Sequence, residues 1–218
     1  MARILNKLVS WIKGKGKMKI SKAMITALTG IEGSRSYMYK DSAGYETIGV
    51  GHLIIKDSVD TNLKEVTGFD GHEIDGNTLL SSEQIAKLLA LDLKVFEVGV
   101  EEVISVDMTQ NQFDALVCFA YNIGLKSFKG SSVVKSFNKH EIHEAGQNLM
   151  LWYNTRNPTT GALTKSNGLF NRRTFEKNVL IFPEVNLDPA AFSRKSDLVL
   201  VNGWLATYRK LFREEMGL

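Results

Sequence analysis

Apolar residues recur along this chain at two periods. Met24, Ile25, Leu28 and Ile31 follow one another at three- and four-residue intervals behind Ser21, which predicts a helix with a serine N-cap. From Arg35 to Ile55 the pattern alternates. Tyr37 and Tyr39 lie two apart between the polar Ser36 and Lys40, Asp41-Ser42-Ala43-Gly44 reads as a turn, and Tyr45, Thr47 and Ile48 favour strand. Gly49 and Gly51 mark kinks or close backbone approaches, so a small antiparallel sheet is expected here. Residues 56–80 are acidic and glycine-punctuated and predict an irregular surface region. Helical spacing then returns. Ser81 or Ser82 opens a long helix through Ile85, Leu88, Leu89, Leu93 and Phe96; Thr109 caps another that carries Phe113, Leu116, Val117 and Ala120 and ends at Gly124. Further helices fit 131–138, 141–153, 168–181 and 198–215, with Pro183 and Pro189 in a connector before the last. The pattern predicts an α+β fold, a small sheet lobe joined to a mostly helical lobe.

Composition narrows the class. With 218 residues, 44% of them hydrophobic and 23% charged, the chain is an ordinary globular sequence of one to one and a half domains. Its single cysteine, Cys118, excludes an intrachain disulfide. No apolar run approaches the roughly 20 residues that span a bilayer.

The net charge of +3 conceals a division. Arg3, Lys7, Lys13, Lys15, Lys17, Lys19 and Lys22 precede the first acid, which leaves 20 bases against 24 acids in the remainder. The body is mildly acidic and has no basic stripe, so no nucleic-acid partner is expected. In the basic segment Ile4, Leu5, Leu8, Val9, Trp11 and Ile12 fall at helical spacing, followed by a Gly14-Lys15-Gly16-Lys17 hinge. An amphipathic cationic helix suits weak contact of residues 1–17 with an anionic membrane surface; a helix folded back on the domain or a disordered arm is the alternative. Lys7 interrupts the apolar stretch and no small-residue cleavage site follows, so no secretory signal is read.

Two carboxylates stand out. Glu32 falls where an apolar helix runs out, and Asp41 lies nine residues later at a hairpin tip, with Thr47 on the returning strand. Hydrolysis of a glycosidic bond needs a protonated acid beside the leaving oxygen and a base that holds water or attacks carbon. A helix C-terminus and partial burial both favour the protonated carboxyl, which suits Glu32 to the acid role. Other chemistry-bearing residues have structural readings. His52 is expected to be a partly buried, hydrogen-bonded histidine. His140-Glu141-Ile142-His143 is one residue short of the zinc spacing, and Asp70, Glu73 and Asp75 lack the order of a calcium loop. Cys118, on the apolar side of its helix, is expected to be a buried small hydrophobe. Gly49-x-Gly51 lacks the third glycine of a dinucleotide loop.

The frame around Glu32, Asp41 and Thr47, EG-x6-Y-x-D-x2-G-x2-T-x-G-x-G-H, resembles the active-site signature of phage-type lysozymes, the endolysins of glycoside hydrolase family 24. Three further blocks are similar to that family and stand in its order: Gln112 to Gly124, Trp152-Tyr153-Asn154, and Gly168-Leu169-Phe170-Asn171-Arg172-Arg173 with Glu176. The resemblance covers roughly 21–182. It implies a lysozyme-like fold with a saccharide cleft between the lobes, divided as a basic N-terminal extension (1–20), a catalytic domain (21–183) and a helical C-terminal extension (184–218). It also implies a muramidase that cleaves β-1,4 bonds between N-acetylmuramic acid and N-acetylglucosamine in peptidoglycan strands, as a monomer without metal or cofactor, to lyse the cell.

By the same resemblance Glu32 is the general acid, and Asp41 and Thr47 position the attacking water, an inverting arrangement. Gly51, Leu53, Tyr121, Ser131 and Asn148 line the saccharide cleft, and Arg172 or Arg173 reaches back to Glu32. The expected location is the host cytoplasm on synthesis and the periplasmic cell wall after release. A peptidoglycan-degrading effector or toxin, and a glycan-binding relative without turnover, are the other readings these residues allow.

Overall fold

The computed structural model describes residues 18–41, 44–56, 59–156 and 161–182, apart from the side chains of Glu32 and Arg156. The first helix, α1 (Lys22–Glu32), starts where Ser21 predicts, its side chain accepting a hydrogen bond from the Met24 amide at 3.1 Å. Ser21 is held across the molecule, because its own amide donates to Oδ1 of Asp114 at 3.0 Å. Gly33, at φ 74°, ends the helix in a conformation that costs a residue with a Cβ several tenths of a kcal/mol or more. The chain then forms an antiparallel sheet of β1 (Arg35–Lys40), β2 (Glu46–Gly49) and β3 (His52–Leu53), in that order.

Residues 56–80 depart from expectation. The segment contains α2 (Thr61–Thr67) and a short 3-10 turn over Gly71–Glu73. Asp60 caps α2 through the Leu63 amide, and Gly68 closes it in the left-handed conformation at φ 81°. Asp70 and Glu73 form a reciprocal capping box, so these acids serve the backbone.

The long helix α3 (Ser82–Val103) begins at a Ser81–Gln84 capping box and runs about 33 Å at 1.5 Å per residue. It packs on α1, α2, β2 and β3 at one side and on the helical lobe at the other, tying the two lobes together. The helical lobe is built around α4 (Gln110–Ile123), capped by Thr109 and ended by Gly124. Every residue from Phe113 to Ala120 is buried, so α4 is enclosed on all sides and packs against α3, α5 (Leu125–Gly130) and α8 (Asn167–Ile181). Ser131 caps α6 (Ser132–Phe137), which packs on α7 (Ile142–Leu149).

Two further differences from the sequence reading concern this lobe. The helix expected over 141–153 ends at Leu149, and a two-stranded hairpin, β4 (Asn154–Arg156) with β5 (Leu163–Lys165), precedes α8. Helix α5 was not expected at all, since six residues give too little periodicity to read. The helices expected over 4–12 and 198–215 lie outside the described residues. Among the described residues no helix is long and apolar enough to cross a membrane.

Candidate active site

Strand register places the hairpin residues. Thr47 lies opposite Tyr39 on one side and Leu53 on the other, so these three share one face of the sheet. Asp41, two residues after Tyr39, falls on the same face. It is fixed by its backbone and side chain together: its amide donates to the Tyr45 carbonyl at 2.9 Å, and its Oδ1 accepts from the Tyr45 amide at 2.8 Å. The Thr47 hydroxyl donates to that same Tyr45 carbonyl at 3.0 Å. With its hydrogen so used, Thr47 Oγ1 presents acceptor lone pairs to any further partner. Thr47 is buried and Asp41 half-buried. Glu32, the last residue of α1, is separated from β1 by Gly33 and Ser34; its carboxyl lies outside the described residues.

Beside this face is a cavity of about 350 Å³ lined by Gly51, Leu53, Asp92, Val95, Phe96 and Tyr121, among others. Tyr121 reaches from α4 to donate to the Val50 carbonyl at 2.7 Å, and its ring meets Phe96 edge-on at 5.2 Å. Gly51 is at φ 78°, and a Cβ there would sit 3.6 Å from the Tyr121 hydroxyl. Three of the five residues expected in a saccharide cleft, Gly51, Leu53 and Tyr121, therefore meet in one cavity. Ser131 and Asn148 are not among its lining residues. Ser131 is a buried cap of α6, and Asn148 Nδ2 donates to Ser136 Oγ at 3.0 Å.

His52 is buried at the base of the cavity, as expected, and both ring nitrogens meet carboxylates. Nδ1 lies 3.0 and 2.9 Å from the two oxygens of Asp92, and Nε2 lies 2.9 Å from Asp60 Oδ2. Burial works against the charged ring, but the hydrogen bonds and charges of Asp92 and Asp60 outweigh it and hold the His52 pKa above its ordinary value.

A second buried cluster joins α4 to α8. Oε1 of Glu176 accepts from Arg172 Nε at 2.9 Å, from Arg173 Nη2 at 2.8 Å and from Cys118 Sγ at 3.2 Å. Arg173 also donates to Asn122 Oδ1 at 2.9 Å and stacks over the Phe119 ring at 4.9 Å. Burial pushes the Glu176 carboxyl and the Cys118 thiol upward. The sequence reading singled out the two arginines only as partners of Glu32 and missed Glu176 as a partner they share, whose only signal was its i,i+4 and i,i+3 spacing from them.

The remaining motifs resolve as structure. His140 lies in a left-handed turn at φ 63° ahead of α7, off the helix that carries His143. Asp75 Oδ1 accepts from the Asn77 amide at 2.9 Å and the Thr78 hydroxyl at 3.0 Å, bonds that hold its carboxyl below the usual carboxylate range. Among the described residues no group of three or more His, Cys, Asp or Glu side chains could hold a metal ion.

The family model for phage lysozyme matches residues 29–176, from just ahead of Glu32 through Glu176. The chain belongs to the phage lysozyme family. The endolysin of Salmonella phage P22 is 35% identical over 136 residues, covering 62% of this chain and 84% of that protein. The endolysin of Bacillus phage B103 is 33% identical over 169 residues, or 77% of this chain; the chain spans little more than half, 56%, of that relative's length. Among solved structures, the endolysin from Escherichia coli O157:H7 phage FAHEc1 superposes with a TM-score of 0.65 at 30% identity, covering 78% of this chain and 97% of that one. The sheet lobe, the mostly helical lobe and the α3 connection are thus those of a lysozyme-like fold.

Proposed function

We propose that this phage lysozyme family member is an endolysin-type muramidase, which hydrolyses the β-1,4 bond from N-acetylmuramic acid to N-acetylglucosamine in peptidoglycan. The observation that carries the reading is the hairpin: Asp41 and Thr47 share one face and one carbonyl partner, directly after the helix that ends at Glu32. In this reading Glu32 gives its proton to the glycosidic oxygen as the C1–O bond breaks. A water held by Asp41 and by the acceptor lone pairs of Thr47 Oγ1 attacks C1 from the opposite face, and Asp41 takes its proton. Inversion follows, which needs the two carboxyl groups roughly 6.5–9.5 Å apart. NMR of the first-formed anomer separates the routes, since inversion gives α and retention β. Gly51, Leu53 and Tyr121 bind sugar in the cavity, Ser131 and Asn148 contribute to saccharide binding outside it, and Arg172 or Arg173 steadies the Glu32 carboxyl.

The chain acts as a monomer, made in the host cytoplasm and active on the wall after release. Its cationic residues 1–17 give weak contact with anionic membrane surfaces, where each cation adds about 1 kcal/mol. Comparing the full chain with one lacking residues 1–17 tests both proposals. Both proteins are expected to hydrolyse purified peptidoglycan equally, while only the full chain sediments with phosphatidylglycerol vesicles. Failure of both to hydrolyse peptidoglycan would refute the muramidase reading. Equal vesicle binding, or a sharp fall in melting temperature on truncation, would refute the membrane role.

A further inference from the structure

The cavity wall made by Gly51 and Leu53 is held by the residue between them. His52 points away from the hairpin face that carries Thr47, and its ring is gripped from two separate elements. Asp92 comes from the middle of α3, where Asn62 Nδ2 also donates to its Oδ1 at 2.9 Å. Asp60 comes from the cap of α2, where its Oδ1 accepts the Leu63 amide at 3.0 Å. The cap leaves the Asp60 carboxylate no freedom to turn away. Its backbone is fixed as well, since the Asp60 amide donates to Asp70 Oδ1 at 3.0 Å and Asp70 Oδ2 accepts Lys64 Nζ at 2.9 Å. The charged groups around the imidazole are therefore Asp92 on α3, Asp60 at the start of α2 and, one bond further out, Asp70 with Lys64.

A neutral imidazole has one N–H and one bare nitrogen, and carboxylates only accept. Two carboxylates, one at each ring nitrogen, are satisfied only by the doubly protonated ring. On loss of a proton one carboxylate faces a nitrogen lone pair, and the buried site repels itself. The segment so released carries Gly51 and Leu53, two of the three cleft residues that meet in the cavity. The third, Tyr121, is bonded to the neighbouring Val50.

We infer that His52 is a positioning residue for saccharide binding: as an imidazolium clamped between Asp60 and Asp92 it holds Gly51 and Leu53 in the geometry that the glycan strand meets. This rests on the muramidase reading and deepens it. The clamp acts on binding and not on bond cleavage, because the His52 ring lies on the opposite face of the sheet from Thr47. The sign follows from the raised pKa of His52. The clamp is complete below the ordinary histidine pKa of about 6.5 and is lost as pH rises through the higher value in the folded protein.

The test is the pH dependence of KM and kcat for soluble peptidoglycan fragments, measured beside the His52 titration by ring 15N NMR, in the wild-type chain and in Asp92→Asn. Wild-type KM is expected to rise roughly tenfold, equivalent to ~1.4 kcal/mol of binding, over the pH range in which the His52 ring loses its proton. The kcat does not follow that titration. In Asp92→Asn both the NMR midpoint and the KM rise move to lower pH together. A wild-type KM that stays flat through the imidazole titration would overturn the clamp while leaving the muramidase reading standing, and so would a shifted midpoint with an unshifted KM. If Asp92→Asn does not fold, the wild-type comparison decides alone. Wild-type protein that hydrolyses no fragment at any pH would refute both.

Discussion

Glu32→Gln is expected to abolish hydrolysis while leaving the fold intact. Glutamine keeps the shape of the side chain and ends α1 as well as glutamate does, but it has no proton to give to the glycosidic oxygen. General acid catalysis contributes about 10²–10⁴-fold, and here the leaving group is an unactivated sugar hydroxyl, which puts the expected loss at the upper end. Asp41→Asn should be severely impaired too. Its Oδ1 bond to the Tyr45 amide survives as an amide carbonyl contact, so the turn persists while the base is lost. Both substitutions keep the size and shape of the side chain, so melting temperatures should stay near wild type. A folded Glu32→Gln protein that still clears peptidoglycan would show that the acid has been assigned to the wrong residue.

The second large effect is on stability. In Glu176→Gln the carboxylate that joins Arg172, Arg173 and Cys118 becomes a neutral amide at a site with no access to solvent. The amide carbonyl can occupy the position of Oε1, but its NH₂ then takes that of Oε2, for which the described residues offer no hydrogen-bond partner. The change thus removes the negative charge facing two buried guanidinium groups and adds an unsatisfied donor. Removing one side of a buried ion pair typically costs about 3–5 kcal/mol. At roughly 2–4 °C per kcal/mol for a domain of this size, the melting temperature should fall by about 6–20 °C. Thermal unfolding followed by circular dichroism checks this. A fall of only about 1–2 °C, near the ±0.5 kcal/mol of an ordinary surface change, would mean that the cluster is not the seam joining α4 to α8.

What the sequence made legible was local. Helices α1, α3 and α4 carry their starts within four residues, in Ser21 with the Met24 amide, Ser81 with Gln84 and Thr109 with Gln112, and their apolar periods are long enough to count. The Asp41–Thr47 arrangement was legible for the same reason, since a short hairpin fixes its own register. Helix α2 was hidden because seven residues bury only Leu63; its signal was the pair of ends, Asp60 and Gly68, in a stretch whose acids and glycines looked like loop. The β4–β5 hairpin has three-residue strands, and β5 is wholly exposed, so no alternation could announce it.

The two buried polar clusters were illegible for a different reason. Cys118 meets Glu176 across 58 residues, and His52 meets Asp60 and Asp92 across eight and 40. No period or cap relates such positions; packing of α8 on α4, of α3 on the sheet and of α2 on α3 brings them together. The burial of His52 and of Cys118 could be anticipated from their apolar surroundings. That each sits against a carboxylate could not.

The claim at the centre of this account is the identity of the bond cleaved, and the new reducing ends in purified peptidoglycan test it most directly. After digestion, borohydride reduction and acid hydrolysis, a muramidase yields muramitol, because N-acetylmuramic acid is left with the free C1. Muramitol appearing in step with loss of turbidity is the predicted result. Glucosaminitol in its place would mean cleavage of the other glycosidic bond, and free amino groups without new reducing ends would mean that the chain cuts peptide or amide bonds and not glycan.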